Sequence, residues 1–217
     1  RRVDRQNRIR KTLAHLSHEF SSILDLDALL SKIADSVKSL IDYDGFLLLM
    51  VDEQARLLVE RFSRRYDQKA PLCTLSLDQG LTGAAARAGK PVLVRDTLAD
   101  PRYVEAYPGI RSEIAFPLIV NHRVVGVMDL ESERVGAFTE DHVRTLSLIA
   151  PQIAAAIENA RLYEELAERE RMTQKDLEAA QKLQAIIFPA EAPPIPGLDV
   201  GVHLKPARLV SGDLYDF

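Results

Sequence analysis

The sequence predicts an α+β fold, with a central antiparallel sheet and helices packed on one face. Three observations point there. Six strand-sized apolar runs lie between residues 45 and 131. Most neighbouring runs are joined by turns rather than by the long crossovers that a parallel sheet needs. Helical periodicity brackets them on both sides, and about 120 residues are enough for one sheet and its helical cover.

Ile9, Leu13, Leu16, Phe20 and Ile23 are spaced four, three, four and three residues apart, the seam of a coiled coil or of a helix packing lengthwise on a partner. Asp25 caps a second helix, "DALLSKIADSVKSLI", which ends near Asp42 to Gly45. Strands follow as "GFLLLMV", "LLVERFS" and "CTLSL". Gly80 and Gly83 flank the start of a short helix, "LTGAAARAG", which Gly89 closes before the strand "PVLV". "SEIAFPLIV" and "RVVGVMDLE" are separated by Asn121 and His122, a hairpin-like pair. Thr139 begins a helix that runs to Phe188, about 75 Å if continuous. Pro151 lacks the N–H that would bond to Ser147, so a kink or local loosening is expected there.

Composition narrows the function. With 47% hydrophobic and 28% charged residues, the 217-residue chain has the makings of one or two folded domains. No apolar run approaches the roughly 18 residues of a membrane-spanning helix. The net charge of −4 argues against nucleic-acid binding, although residues 1–24 carry six basic residues against two acidic ones. One cysteine, Cys73, excludes an internal disulfide and a cysteine-based zinc cluster. It reads as a core residue of a cytoplasmic protein. The chain opens without methionine on a stretch already helical in pattern, and is expected to be a piece of a longer protein.

"GLTGAAARAGKPVLVRDT", "IRSEIAFPLIVNHRVVGVMDLES" and "GAFTEDHVRTLSLIAPQIAAAIENARLYEE" resemble, in order and spacing, successive blocks of a GAF domain, a small-molecule sensor module of bacterial signalling. The resemblance covers roughly Leu26 to Glu165. It implies a ligand pocket on one sheet face and terminal helices that pair with those of a second subunit, hence a homodimer. The ligand is not implied. Cyclic-nucleotide-binding members carry an Asn-Lys pair ahead of a Phe and an Asp-Glu pair. Here Phe138 is present, but Glu131 and Ser132 replace Asn-Lys, and His142 follows Asp141. Bilin-binding members need a suitably placed cysteine and methionine-sulfoxide-reducing members need several, and a strand-like Cys73 meets neither requirement. Asp96, Arg111 and Glu113 are the candidate pocket groups, with solvated loop charges as the alternative.

"LSHEF", Leu16 to Phe20, is similar to the phosphoacceptor box of sensor histidine kinases. His18 falls opposite the apolar seam, as a phosphoacceptor must. No proline-marked second helix or glycine-rich ATP-binding segment follows, so a surface histidine on a pairing helix is the preferred reading.

In the long helix a seam passes through Leu146, Ile149, Ile153, Ala156, Ala160, Tyr163 and Ala167. It fades where Glu170 and Gln174 occupy the line before Leu177. Such a weak middle is either a solvated spacer or a switch between two pairing registers. The tail, "AAQKLQAIIFPAEAPPIPGLDVGVHLKPARLVSGDLYDF", resembles the opening of a PPM-type (SpoIIE-like) bacterial serine/threonine phosphatase domain. Ser211 and Leu214 replace a glycine and an aromatic residue of that pattern. The resemblance implies that Asp213 and the backbone carbonyl of Leu214 are ligands of a two-metal Mn²⁺ or Mg²⁺ site, with Asp216 structural and the other acidic ligands further along the chain. It also implies a phosphoprotein substrate of the anti-sigma-factor-antagonist type.

The organisation expected is therefore a pairing helix over 1–24, a GAF sensor over 25–160, a helical linker over 161–188 and the truncated start of a phosphatase over 189–217. By itself this chain should be inactive. The rival reading is a ligand-binding or dimerisation module serving another output, such as a histidine kinase.

Overall fold

Asp25 starts helix α1, Leu26–Leu40, by accepting a hydrogen bond from the Ala28 N–H at 2.8 Å. Leu26, Leu29, Leu30, Ile33, Ala34 and Val37 form one buried stripe at helical spacing. The computed structural model describes residues 18–65, 74–105, 107–189, 196–197, 200–201, 203–204, 209–212 and 216. Of the helix predicted over 1–24, residues 18–24 are described: 18–21 are helical, with His18 exposed and Phe20 buried, and 22–24 are not. Cys73 lies outside the described residues.

Six strands follow: β1 Gly45–Asp52, β2 Leu57–Arg65, β3 Thr74–Ser76, β4 Val92–Val94, β5 Ser112–Val120 and β6 Arg123–Ser132. They form one sheet in the order β3-β2-β1-β6-β5-β4, antiparallel throughout. The β5–β6 hairpin turns on Asn121 and His122, whose φ values of 47° and 64° suit the two positive-φ positions of a tight turn. Asp96 caps a 3₁₀ turn, Thr97–Ala99, that the sequence pattern did not signal.

Both sheet faces are covered, which corrects the expectation of helices on one face. Alternate residues of β1 separate the two layers. Phe46 and Leu48 pack with α1 and the long C-terminal helix, whereas Leu47 and Leu49 pack with the short helix α2, Gly80–Ala88. Helix α2 sits close because Gly83 has no side chain: a Cβ there would lie 2.7 Å from the Leu77 carbonyl oxygen. Gly89, at φ 59°, ends α2 in the left-handed conformation.

Helix α3, Glu140–Ile187, stays helical through Pro151. Ile149, Ala150, Ile153 and Ala154 are buried on either side of the proline and hold both flanks against the core. The first part of the predicted seam, Leu146 to Ala160, is thus core-facing rather than available to a partner helix. From Tyr163 onward the seam is exposed, Glu170 and Gln174 included.

The chain divides into two compact units, Arg1–Glu164 and Glu165–Phe217. In the second, the Gln184 side chain clamps the Ser211 backbone, donating to its carbonyl at 2.7 Å and accepting from its N–H at 2.9 Å. The stretch "LDVGVHLKPA" alternates as a strand would, but its four described residues, 200, 201, 203 and 204, lie outside any strand. Among the described residues, no helix is long and apolar enough to cross a membrane.

Candidate functional site

The sheet face beneath α2 is apolar at Leu47, Leu49, Leu58, Ala115 and Val127. Strand alternation places Glu113, Asp129 and Glu131 on that same face. Glu113 pairs directly with Glu131 across the β5–β6 ladder, and Asp129 precedes Glu131 by two residues. Each residue is only 4% exposed. One oxygen from each can be chosen so that all three lie within 4.8 Å of one another. They line a cavity of ≈20 Å³ with Leu47, Leu49, Leu75, Gly80, Leu81, Thr82, Tyr103 and Val104. A wider hollow of ≈240 Å³, lined by Val51, Glu53, Leu77, Ala86, Arg87 and Val124, has only one charge of each sign.

Three buried carboxylates repel one another and lose hydration, and both effects favour the protonated forms. Burial pushes Glu113 up to about 8, with Glu131 adding to the effect. Burial likewise raises Glu131 to about 7, against the opposing pull of Arg65. Asp129 is raised well above the usual aspartate range by burial, then by its two acidic neighbours. The Tyr103 hydroxyl is also raised, by burial first and then by the negative potential of Glu113 and Glu131.

Glu113 and Asp129 lie close enough for a proton on one carboxyl to be shared with the other. Asp129 Oδ1, Glu131 Oε2 and the Tyr103 hydroxyl make none among the described residues. Glu131 lies across Gly45, where a Cβ would stand 2.5 Å from its Oε2, and that oxygen is 3.7 Å from an Arg65 guanidinium nitrogen. Gly45 is thus required for the reach of Glu131 along the row Glu113, Glu131, Gly45, Arg65.

Of the three pocket candidates read from sequence, the structure places Glu113 in the cavity. Asp96 and Arg111 are not among its lining residues. They pair with each other at 3.0 Å, and Asp96 also accepts from the Leu98 N–H. Asp129 and Glu131 were missed as partners of Glu113. Their signal was present in "VVGVMDLES": two acids two residues apart, on one face of an otherwise apolar strand. In the sequence Glu131 stands out only as a departure from the cyclic-nucleotide pattern. Asp213 and Leu214 lie outside the described residues. Gln174 donates to Glu178 at 3.0 Å on the exposed helix surface.

This fold, with its cavity between a sheet and a short helix, matches known proteins. The family model described as GAF domain matches residues 23–158. The chain belongs to the GAF domain family.

Among solved GAF-fold structures, a free methionine-R-sulfoxide reductase from Neisseria meningitidis, in complex with its substrate, is 26% identical at a TM-score of 0.62. The match covers 71% of this chain and 90% of that one. The GAF domain of an Acinetobacter phosphoenolpyruvate-protein phosphotransferase is 18% identical at a TM-score of 0.61, covering 70% and 93%. Among curated relatives, the "Probable 3',5'-cyclic phosphodiesterase pde-5" of Caenorhabditis elegans is 22% identical over 174 residues, which is 73% of this chain and 24% of that protein. Protein YtsP of Bacillus subtilis is 29% identical over 91 residues, 42% of this chain and 56% of YtsP. The chain therefore spans about a quarter of one curated relative and just over half of the other.

Proposed function

We propose that this chain is the sensing and transmitting part of a signalling protein. Its GAF cavity takes a small ligand bearing positive charge, and helix α3 passes the bound state to an output domain. The observation that carries the reading is the group Glu113, Asp129 and Glu131 around one cavity, with a buried Asp129 oxygen that makes no hydrogen bond among the described residues. A bound cation offsets both the desolvation and the mutual repulsion of the three carboxylates. The Neisseria reductase, solved with its substrate, supports a small-molecule role for a cavity in this fold.

The output is a metal-dependent PPM-type serine/threonine phosphatase that begins in residues 189–217 and acts on a small phosphoprotein of the anti-sigma-factor-antagonist type. Support comes from the tail sequence, in particular the proline-rich turn and the segment Ser211 to Phe217. Asp213 and the Leu214 carbonyl would contribute to a Mn²⁺ or Mg²⁺ pair, but one carboxylate does not hold two such ions. The 217 residues by themselves are therefore expected to be inactive. Homodimerisation through the terminal helices would transmit the signal, with Glu170 and Gln174 weakening the exposed seam between sensor and output.

The test is hydrolysis of a phosphoserine protein or an aryl phosphate by the full-length protein, with and without Mn²⁺, beside Asp213→Ala. Mn²⁺-dependent turnover lost in the variant is the expected result. Equal turnover in Asp213→Ala and wild type, or none under any condition, overturns the phosphatase output.

A further inference from the structure

Resting on the reading of the cavity as a cation site, we infer that its occupant is a single divalent cation of the hard, oxygen-preferring class, Mg²⁺, Mn²⁺ or Ca²⁺, held by Glu113, Asp129 and Glu131. Spacing comes first. Two oxygens bound at about 2.4 Å to one ion are at most about 4.8 Å apart. The three carboxylates offer a set of oxygens within 4.8 Å of one another.

Size points the same way. A cavity of ≈20 Å³ exceeds the roughly 10–15 Å³ that one water-sized centre needs, but leaves little for a carbon skeleton. The donor set contains oxygen alone, with no histidine or cysteine in the lining, which favours hard cations over zinc or copper.

Charge supplies a further argument. Arg65, at 3.7 Å from Glu131, is shared with Glu133 at 3.6 Å, so it does not neutralise the three carboxylates, and a divalent ion supplies positive charge that they otherwise lack. The buried Oδ1 of Asp129 and Oε2 of Glu131, which make no hydrogen bond among the described residues, then gain a partner. All three carboxylates stand on paired strands, β5 and β6, so the ladder holds their backbones in register without loop rearrangement. Leu47, Leu49 and Leu81 wall the site with apolar surface, and low polarity around an ion pair strengthens its attraction.

The test is calorimetric titration of the chelator-treated 217-residue chain with MgCl₂, MnCl₂ and CaCl₂ in turn, and with methylammonium chloride as an organic cation. Urea midpoints accompany each titration. One ion per chain should bind and raise the midpoint. Asp129→Asn should weaken it by more than the roughly 10–100-fold that loss of a supporting partner costs, whereas Asp141→Asn, an exposed acid outside the cavity lining, should leave it unchanged. Should Asp129→Asn not fold, the anomalous map of wild-type crystals with Mn²⁺ decides, through a peak within about 2.6 Å of all three carboxylates. An ion that Asp129→Asn does not affect, or a peak elsewhere, overturns the assignment. Methylammonium binding without metal binding overturns the divalent ion but leaves the cation sensor standing. Binding of neither overturns both.

Discussion

On one face of the sheet, Phe46, Leu48, Ile114, Met128 and Leu130 meet α1 and α3 without a buried charge among them. On the other, Leu47, Leu49 and Val127 share the surface with Glu113, Asp129 and Glu131. The same strands supply both faces, one side chain alternating with the next. The first face stabilises the fold by removing apolar area from water. The second sets three desolvated carboxylates into a similar environment, an arrangement that weakens the fold until a cation joins it. A single sheet thus separates stability from ligand response by strand parity.

The largest effect expected comes from damage to the apolar face. Ile33→Ala or Ile153→Ala, each at a site with no exposure, should cost about 2–5 kcal/mol in urea unfolding. A loss below about 1 kcal/mol at both sites would break the contrast.

Next comes pH, which should act through the acidic face. In the fold, Glu113 and Glu131 keep protons up to about 8 and about 7, whereas the unfolded chain releases them near 4.5. The native state therefore binds more protons between these limits, and its stability falls as pH rises from about 4.5 to about 8. Each unit of raised pKa corresponds to about 1.4 kcal/mol. Urea midpoints of metal-free protein at pH 5 and pH 8 check this, and a flat or rising profile contradicts it.

Gly45→Ala should cost about 1–3 kcal/mol, because the new methyl group meets Glu131 Oε2. It should also weaken cation binding in the same titration. Asp129→Asn should move metal-free stability the opposite way, raising it at pH 8 by on the order of 1 kcal/mol as a buried charge is removed. An Asp129→Asn protein less stable than wild type at pH 8 would show that the carboxylate belongs to the folding core. The smallest effect on stability is expected in the exposed helix, where Glu170→Leu with Gln174→Leu should leave the urea midpoint of the sensor within about 0.5 kcal/mol. Phosphatase activity of the full-length protein carrying the pair should change, and unchanged activity would count against a register switch.

Elements were legible in the sequence because their signals are local. Asp25 capped the helix expected of it, the stripe from Leu26 to Val37 kept its 3.6-residue period, and Asn121 with His122 made the β5–β6 turn. The loop pair Asp96 and Arg111 was harder to place, since charge and polarity alone do not distinguish a pocket group from a capping ion pair. The seam of α3 does not show by itself where core packing ends, because core packing and coiled-coil pairing share nearly the same spacing.

The sequence by itself determined the order and type of the α-helices and strands between residues 26 and 187, though not the 3₁₀ turn at Thr97–Ala99. Only the tertiary structure decided that α2 covers the opposite sheet face, and that Glu113 faces Glu131 beside Asp129 with Gly45 making room. Helix periods and turns depend on residues a few positions apart, whereas this cavity draws on six separated stretches of chain. Its chemistry arises from strand register and from the exclusion of water, neither of which any one stretch carries.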